Sequence, residues 1–447
     1  MTNDQLSLRL KLILESLPSG LDLNCRAMMN GRFTIELLYV ISMCDESQIN
    51  HLLIKPFFNC EHAEILEYRL ESLPNSQKIT GEMDYTAHLL QGHAFVFVGS
   101  SVFLLEVNRV WNSEPMTSNI ETAIQGSQNS LSENNATNLS LIRHQYVSPY
   151  LHADYRRVGR VSATELILLY DERFCKKHVL EELENRLGKV KADIVQSAGQ
   201  LEEYLLMDRK ELFPSSLITE RPDRIANCLL KGKVAILIQG SPFALVVPTT
   251  FYDQLSAMDD IHNPYWFTTI IIALRYISLI FTVALPAIYV AIVSYNPEVF
   301  RIQLSFSIAG SRAVVPYPSF VEVLLMLFII EALVEASVRL PKYIGQTATT
   351  VGGLILGQAA QEAGLVSSIM IIVTSMVAIC NFIIPVNTLS YAIRFLKYPL
   401  ILFAAFLGIV GVIGGIFLYL ILLSNHRSFG EPYFQLPIKL QKKGDMS

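Results

Sequence analysis

The sequence predicts a chain of two parts. An α+β soluble N-terminal half, built from two duplicated modules, is followed by an all-α polytopic membrane domain. Three observations predict this. Composition changes abruptly near Asp260, from charged and turn-rich to mostly apolar. Two stretches of the first half read alike. The second half contains the long apolar runs Tyr276 to Val293, Val366 to Ile384 and Pro399 to Leu423. About 18 apolar residues in a helix are enough to cross the roughly 30 Å hydrocarbon layer of a bilayer.

The duplication rests on the order of matched segments. Thr34-Ile-Glu-Leu-Leu-Tyr39 precedes one charged helical pattern and Thr164-Glu-Leu-Ile-Leu-Leu-Tyr170 precedes another, His178 to Val195. Leu89-Leu90-Gln91-Gly92 leads into Phe95–Val98, Gly99-Ser100 and Val102–Leu105. Leu229-Leu230-Lys231-Gly232 leads likewise into Ala235–Ile238, Gly240-Ser241 and Phe243–Val247. Gly-Ser between two β-branched and aromatic runs reads as a hairpin turn, because glycine tolerates positive φ. Each module is therefore a strand, helices and a hairpin, at 1–111 and 138–262. The stretch 112–137 between them is rich in Ser, Asn, Thr and Gln and reads as a polar linker.

The membrane domain is predicted at 263–425, with four to five spans, and 426–447 as a polar basic tail. For Arg275 two readings stand. Either Trp266 to Arg275 approaches along the membrane surface, which Tyr276 to Val293 permits by spanning alone, or Arg275 faces protein. Phe320 to Ser337 is apolar yet carries Glu322, Glu331 and Glu335. Glu331 and Glu335, four apart, share a helix face. A carboxylate at mid-membrane costs several kcal/mol, so such groups face a bundle interior or an aqueous path, or lie near the interfaces. Residues 344–365 hold Gly345, Gly352, Gly353, Gly357 and Gly364, together with Gln346, Gln358, Gln361 and Glu362. This is too polar and glycine-rich for a simple lipid-facing helix. It reads either as a re-entrant or broken helix lining an ion path, or as tight helix packing at Gly352, Gly353 and Gly357. Asn381 lies near the end of the next run. Arg394 and Lys397 precede the last one. A basic tail places the C-terminus in the cytoplasm, which requires an even number of crossings and puts Arg394 and Lys397 on the outer side.

Several function classes are excluded. The formal net charge of −5 offers no basic field, so nucleic acid is not an expected partner. Cys25, Cys44, Cys60, Cys175, Cys228 and Cys380 form no CxxC pair, which argues against a metal centre or a disulfide framework and suits a reducing compartment. Met1 to Glu15 lacks the features of a signal peptide, which predicts a cytoplasmic N-terminal half. Gly-x-Ser-x-Gly, the Walker loop, HExxH and GxGxxG are absent. The expectation is a protein that is not an enzyme and carries neither metal nor cofactor.

The residues Thr219-Glu220-Arg221-Pro222-Asp223-Arg224, Gly240-Ser241-Pro242-Phe243-Ala244-Leu245 and Pro248 resemble those of GerA-type spore germination proteins, A subunit. So do Arg339-Leu340-Pro341, Ile344-Gly345-Gln346-Thr347, Val351-Gly352-Gly353-Leu354, Gly357-Gln358-Ala359-Ala360 and Glu362-Ala363-Gly364-Leu365-Val366-Ser367. Arg427-Ser428-Phe429-Gly430 closes the match, and Asn138-Leu139-Ser140-Leu141-Ile142-Arg143 is similar to the segment opening the family's second soluble module. The resemblance implies a subunit of a nutrient germinant receptor in the inner membrane of a bacterial endospore. It implies a B-type polytopic subunit and a C-type lipoprotein as partners, and a homo-oligomer around a pore for monovalent cations. Spores and nutrients enter through the resemblance alone. Two other readings of the membrane half remain at this stage: a non-conducting scaffold or signalling subunit, and a secondary transporter. The transporter would show inverted membrane repeats, and the repeat in this sequence is in the soluble half.

Overall fold

The computed structural model describes residues 8–18, 20–79, 83–108, 121, 126–206, 211–299, 301–339, 353 and 355–434. The chain forms two compact units. One comprises Met1–Arg209 and Ser216–Pro248, the other Lys210–Ser215 and Thr249–Ser447.

The first unit holds two five-stranded antiparallel sheets. Strands β1 (Leu23–Met29), β2 (Thr34–Val40), β3 (Ser76–Ile79), β4 (His93–Val98) and β5 (Ser101–Glu106) are ordered β1-β2-β4-β5-β3. Strands β6 (Leu151–Val158), β7 (Thr164–Asp171), β8 (Leu217–Thr219), β9 (Val234–Ile238) and β10 (Ala244–Val247) are ordered β6-β7-β9-β10-β8. The two orders are the same, so the repeat is one of topology as well as sequence. It extends to single residues. Gly92 and Gly232 both have positive φ (81° and 77°), and each faces a carbonyl just beyond the module's second strand, that of Met43 or Phe174. The hairpin glycines Gly99 and Gly240 are also at positive φ (55° and 84°).

Why β2 reads as a continuous apolar run follows from its position. Ile35, Leu37 and Tyr39 join Val96, Phe103 and Leu105 under the helical segments carrying Leu53, Phe57, Leu66 and Leu70. Leu38 and Val40 join Phe95 and Phe97 on the opposite face, under Leu10 and Ile13 of the helix Leu8–Ser16. A strand covered on both faces loses the alternation of a half-exposed one.

The two modules meet at a buried ion pair. The Arg143 guanidinium is 2.7 Å from the Asp22 carboxylate, with side chains 3% and 8% exposed, and it donates to the Gly20 carbonyl at 3.3 Å. Within the polar stretch 112–137, residues 126–137 pack on the second module. Leu131 is buried and its N–H donates to Glu220 O (2.7 Å), while the Asn138 side chain bonds Ser132 from both its atoms. Amide side chains that replace backbone partners explain why so polar a stretch is ordered.

The second unit is helical: Tyr265–Tyr295, Ile302–Arg312, Ser319–Arg339, residues 355–362, Ser368–Phe382 and Asn387–Asn425. Its longer segment begins at Thr249, before the predicted boundary. Phe251 and Leu255 of the helix Phe251–Leu255 pack on Ile384, Leu389 and Tyr433, which draws them to the apolar side. The start of the predicted tail folds here too. Ser428 Oγ accepts from the Thr249 N–H (3.0 Å) and donates to Ser215 O (2.5 Å), while Phe429 and Gly430 make a left-handed turn at φ 48° and 84°. This gives the Arg427-Ser428-Phe429-Gly430 sequence a structural reason.

The apolar run Pro399 to Leu423, read from sequence as one span, is not a single rod. The chain reverses at Gly408 (φ 60°, ψ −140°), and the Tyr419 hydroxyl donates to Leu396 O at 2.8 Å. A straight helix would hold those residues about 35 Å apart. The arms touch where side chains are smallest. A Cβ on Gly411 would lie 2.2 Å from Phe403 O, and one on Gly415 2.4 Å from Leu400 Cδ1. Small residues allow this approach of two helix backbones.

Candidate functional site

Among the described residues, three clusters of charged side chains sit inside the helical unit, among apolar residues such as Val290, Leu327, Met370 and Leu400. The first lies near the start of the helix Tyr265–Tyr295. Arg275 is buried and donates to the Asp260 carboxylate (2.5 Å) and the Leu255 carbonyl (3.1 Å). The helix runs unbroken from Tyr265, so Arg275 faces protein. The alternative, an amphipathic surface approach, is not what forms.

The second group surrounds Glu322, which is fully buried. Its Oε1 accepts from the Ser367 N–H at 2.6 Å, and its Oε2 lies 3.4 Å from Arg312 Nε. Ser367 is the N-cap of Ser368–Phe382, and the Tyr289 hydroxyl is 3.3 Å from its hydroxyl. A carboxylate at a helix N-terminus meets free N–H groups and the positive end of the dipole. Glu322 thus ties the start of one helix to the start of another.

The third group joins Glu331 of Ser319–Arg339 to Arg394 and Lys397 of Asn387–Asn425. Both cations bond its carboxylate, Lys397 Nζ at 2.8 Å. Lys397 is almost wholly buried. Nearby, Asn381 Oδ1 accepts from Ser390 Oγ at 3.2 Å. Glu331, Thr374, Asn381, Arg394 and Lys397 line a small cleft with room for about one water. Arg394 and Lys397 turn into the bundle, because Glu331 supplies the countercharge that makes burial tolerable.

The remaining predicted residues stand as follows. Gln358, Gln361 and Glu362 are exposed on the helical residues 355–362, beside exposed Ile355 and Leu356. Glu335 is exposed. Gln346 and Gly352 lie outside the described residues. At Gly357 nothing lies within 4 Å of a Cβ position, and at Gly353 the nearest atom is Leu333 Cδ2 at 3.7 Å. Tight contacts occur instead at Gly411 and Gly415, and at Gly364, where a Cβ would lie 2.9 Å from Val314 Cγ1. Sequence reasoning missed Arg312, Ser367 and the Glu331 partners. The available signal was a basic pair three residues apart on one helix face, at the edge of an apolar run.

In the first unit the Thr219–Arg224 sequence is a clamp. The Arg221 guanidinium donates to Glu121 O (3.1 Å) and Ser127 O (3.0 Å) and pairs with Asp223 (2.5 Å), while Arg224 pairs with the Glu121 carboxylate (3.0 Å). Three thiols of the first unit are poor nucleophiles: burial pushes Cys44 up to about 12, and Cys25 and Cys175 to about 11. Among the described residues no group of His, Cys, Asp and Glu could hold a metal ion.

A duplicated α+β half joined to an apolar helical unit with internal ion pairs is the class of protein defined by these features. Residues 11–446 match the family described as Bacillus/Clostridium GerA spore germination protein. The chain belongs to that GerA spore germination family. It is 32% identical over 434 residues to spore germination protein GerLA of Bacillus cereus, covering 95% of this chain and 88% of that protein. It is 32% identical over 432 residues to spore germination protein A1 of Bacillus subtilis (95% and 89%). It is also 34% identical over 408 residues to the uncharacterized membrane protein YfkQ of Bacillus subtilis (89% and 79%). Among solved structures, the N-terminal domain of the A subunit of the Bacillus megaterium spore germinant receptor GerK3 is similar at 22% identity and a TM-score of 0.41. That match covers 55% of this chain and 95% of that one.

Proposed function

We propose that this chain is the A-type subunit of a nutrient germinant receptor in the inner membrane of the endospore. In this reading it is multi-pass, its N-terminal half is cytoplasmic, and copies of it assemble around a path for monovalent cations. A B-type polytopic subunit and a C-type lipoprotein are its partners, and membrane lipid surrounds the helical unit. Nutrient captured by the receptor favours the open assembly by its differential affinity for the two states.

The observation that carries this reading is the surface of residues 355–362. Gln358, Gln361 and Glu362 are exposed there on a unit that also exposes Phe328, Ile372, Phe382 and Phe417. In a bilayer an amide or carboxylate on such a surface turns towards another chain or towards water. Gln358, Gln361 and Glu362 are therefore assigned to the ion path, and Gln346 joins them on the sequence alone. Glu322, Glu331, Glu335 and Asn381 are second choices, and Gly352, Gly353 and Gly357 are positions for close helix packing. An even number of crossings is supported by the packing of Phe251 against Tyr433 at one end of the unit. A non-conducting scaffold is the competing reading.

The test is potassium release from nutrient-challenged spores, comparing parent with a strain lacking this gene in a background without related receptors. Loss of release supports the receptor. Unchanged release across a broad nutrient panel overturns it. Glu362→Gln and Gln358→Leu then separate channel from scaffold: altered ion selectivity of the purified protein in bilayers supports conduction, and unaltered flux overturns the path assignment.

A further inference from the structure

The reversal at Gly408 is unusual in its chemistry. A chain that turns in water between two helices normally does so on polar residues, because the turn exposes backbone groups and side chains to solvent. Here, between Lys397 and Ser424, the only side chains carrying a polar atom are Tyr398 and Tyr419. The residues flanking the turn are large, apolar and outward-facing. Phe406 is 78% exposed, Leu407 61% and Val410 70%.

A second observation concerns the backbone. The end of the first arm leaves carbonyls without helical partners. One of them, Ala405 O, accepts a hydrogen bond from the Tyr295 hydroxyl at 2.6 Å, and the Tyr295 ring covers Gly408 at about 3 Å from its Cβ position. Water would satisfy that carbonyl without assistance. In hydrocarbon, an internal donor is needed. Tyr295 ends the helix Tyr265–Tyr295. From Arg275, the last charged residue of that helix, to Tyr295 the rise is about 30 Å, which is the thickness of the hydrocarbon layer.

We infer that Asn387–Asn425 is a re-entrant hairpin whose tip, Phe406 to Val410, ends among the acyl chains of the leaflet opposite the one it enters. It presents no loop to the far aqueous phase. The surface has one occupant, lipid hydrocarbon. Tyr295 is its positioning residue, supplying the donor that the bilayer does not. The inference rests on the membrane reading of the helical unit given above.

The experiment uses the full chain in phosphatidylcholine vesicles with Trp111 and Trp266 replaced by Phe. Single tryptophans are placed at Phe406→Trp, at Ile280→Trp on the exposed middle of the first long helix, and at Glu298→Trp in the segment after Tyr295. Acyl-chain-brominated lipid is expected to extinguish most of the F406W and I280W emission, while aqueous iodide leaves both unchanged and quenches E298W. Iodide quenching of F406W to the level of E298W places the tip in water and overturns the inference. Quenching of F406W by neither agent, with I280W quenched by lipid, places a second chain over the tip and also overturns it. Should I280W escape the brominated lipid, the membrane reading itself fails, and the two failures are thereby distinguished. Val410→Trp, on the other arm, repeats the measurement if F406W does not fold.

Discussion

At Gly232, φ is 77° and a Cβ would lie 2.3 Å from the carbonyl oxygen of Phe174, a backbone atom unable to withdraw alone. Any side chain there combines left-handed strain with a steric clash. Gly232→Ala is expected to destabilise the first unit by about 2 kcal/mol or more. Gly199→Ala, in the helix Ala198–Leu205 with open space around it, is expected to be neutral or stabilising by a few tenths. Thermal unfolding of the two variants by circular dichroism checks the contrast. Asp171 offers a second test. Its carboxylate is buried and accepts from the Tyr146 hydroxyl (2.6 Å), Arg173 Nε (3.0 Å) and the Arg173 N–H (2.9 Å). Burial raises its pKa, but the hydrogen bonds from Arg173 and Tyr146 outweigh it, and the net shift is downward. The unfolded state therefore binds the proton first as pH falls. The stabilisation is whole above the unfolded value of about 3.9 and is lost as pH drops through the folded one. Asp171→Asn is expected to cost stability at neutral pH and to flatten the acid limb of a melting-temperature profile below about pH 4. An unchanged acid limb would assign that dependence to other carboxylates.

Elements show where the sequence was legible. The Thr-Glu-Leu-Ile-Leu-Leu-Tyr and Gly-Ser patterns report strands and hairpins because they are short-range: the strand is covered on both faces and the turn needs a positive φ. The apolar run after Tyr398 was legible as membrane-like, but its reversal was not. A helix reversing at one glycine leaves no polar gap in the sequence, and Gly408, Gly411, Gly414 and Gly415 look like ordinary helix-packing residues. The ion triad was half legible. Glu331 stands out in an apolar helix, but its partners lie more than sixty residues away and no local period links them. The triad makes its own prediction. Glu331→Gln leaves two cations against an amide, one of them nearly fully buried, and is expected to cost about 3–5 kcal/mol. Replacing Glu331, Arg394 and Lys397 together by Gln, Met and Met is expected to cost less than the single change. Chemical unfolding in detergent micelles, followed by tryptophan fluorescence, measures both. A triple variant weaker than the single one would show that the triad contributes net stability.

At the scale of the whole molecule, the order in which the chain visits its two units matters. It leaves the first at about Arg209, contributes Lys210–Ser215 to the second, returns for Ser216–Pro248, and leaves again at Thr249. The short excursion is anchored: Phe213 packs with Phe251, His426 and Tyr433, and the Ser215 carbonyl holds Ser428. The backbone thus passes between the two units three times. A single proteolytic nick near Thr249 would divide the chain in two and leave Lys210–Ser215 of the second unit on the N-terminal fragment. A chain cut short at Pro248 would carry Phe213 into water, stripped of Phe251, His426 and Tyr433.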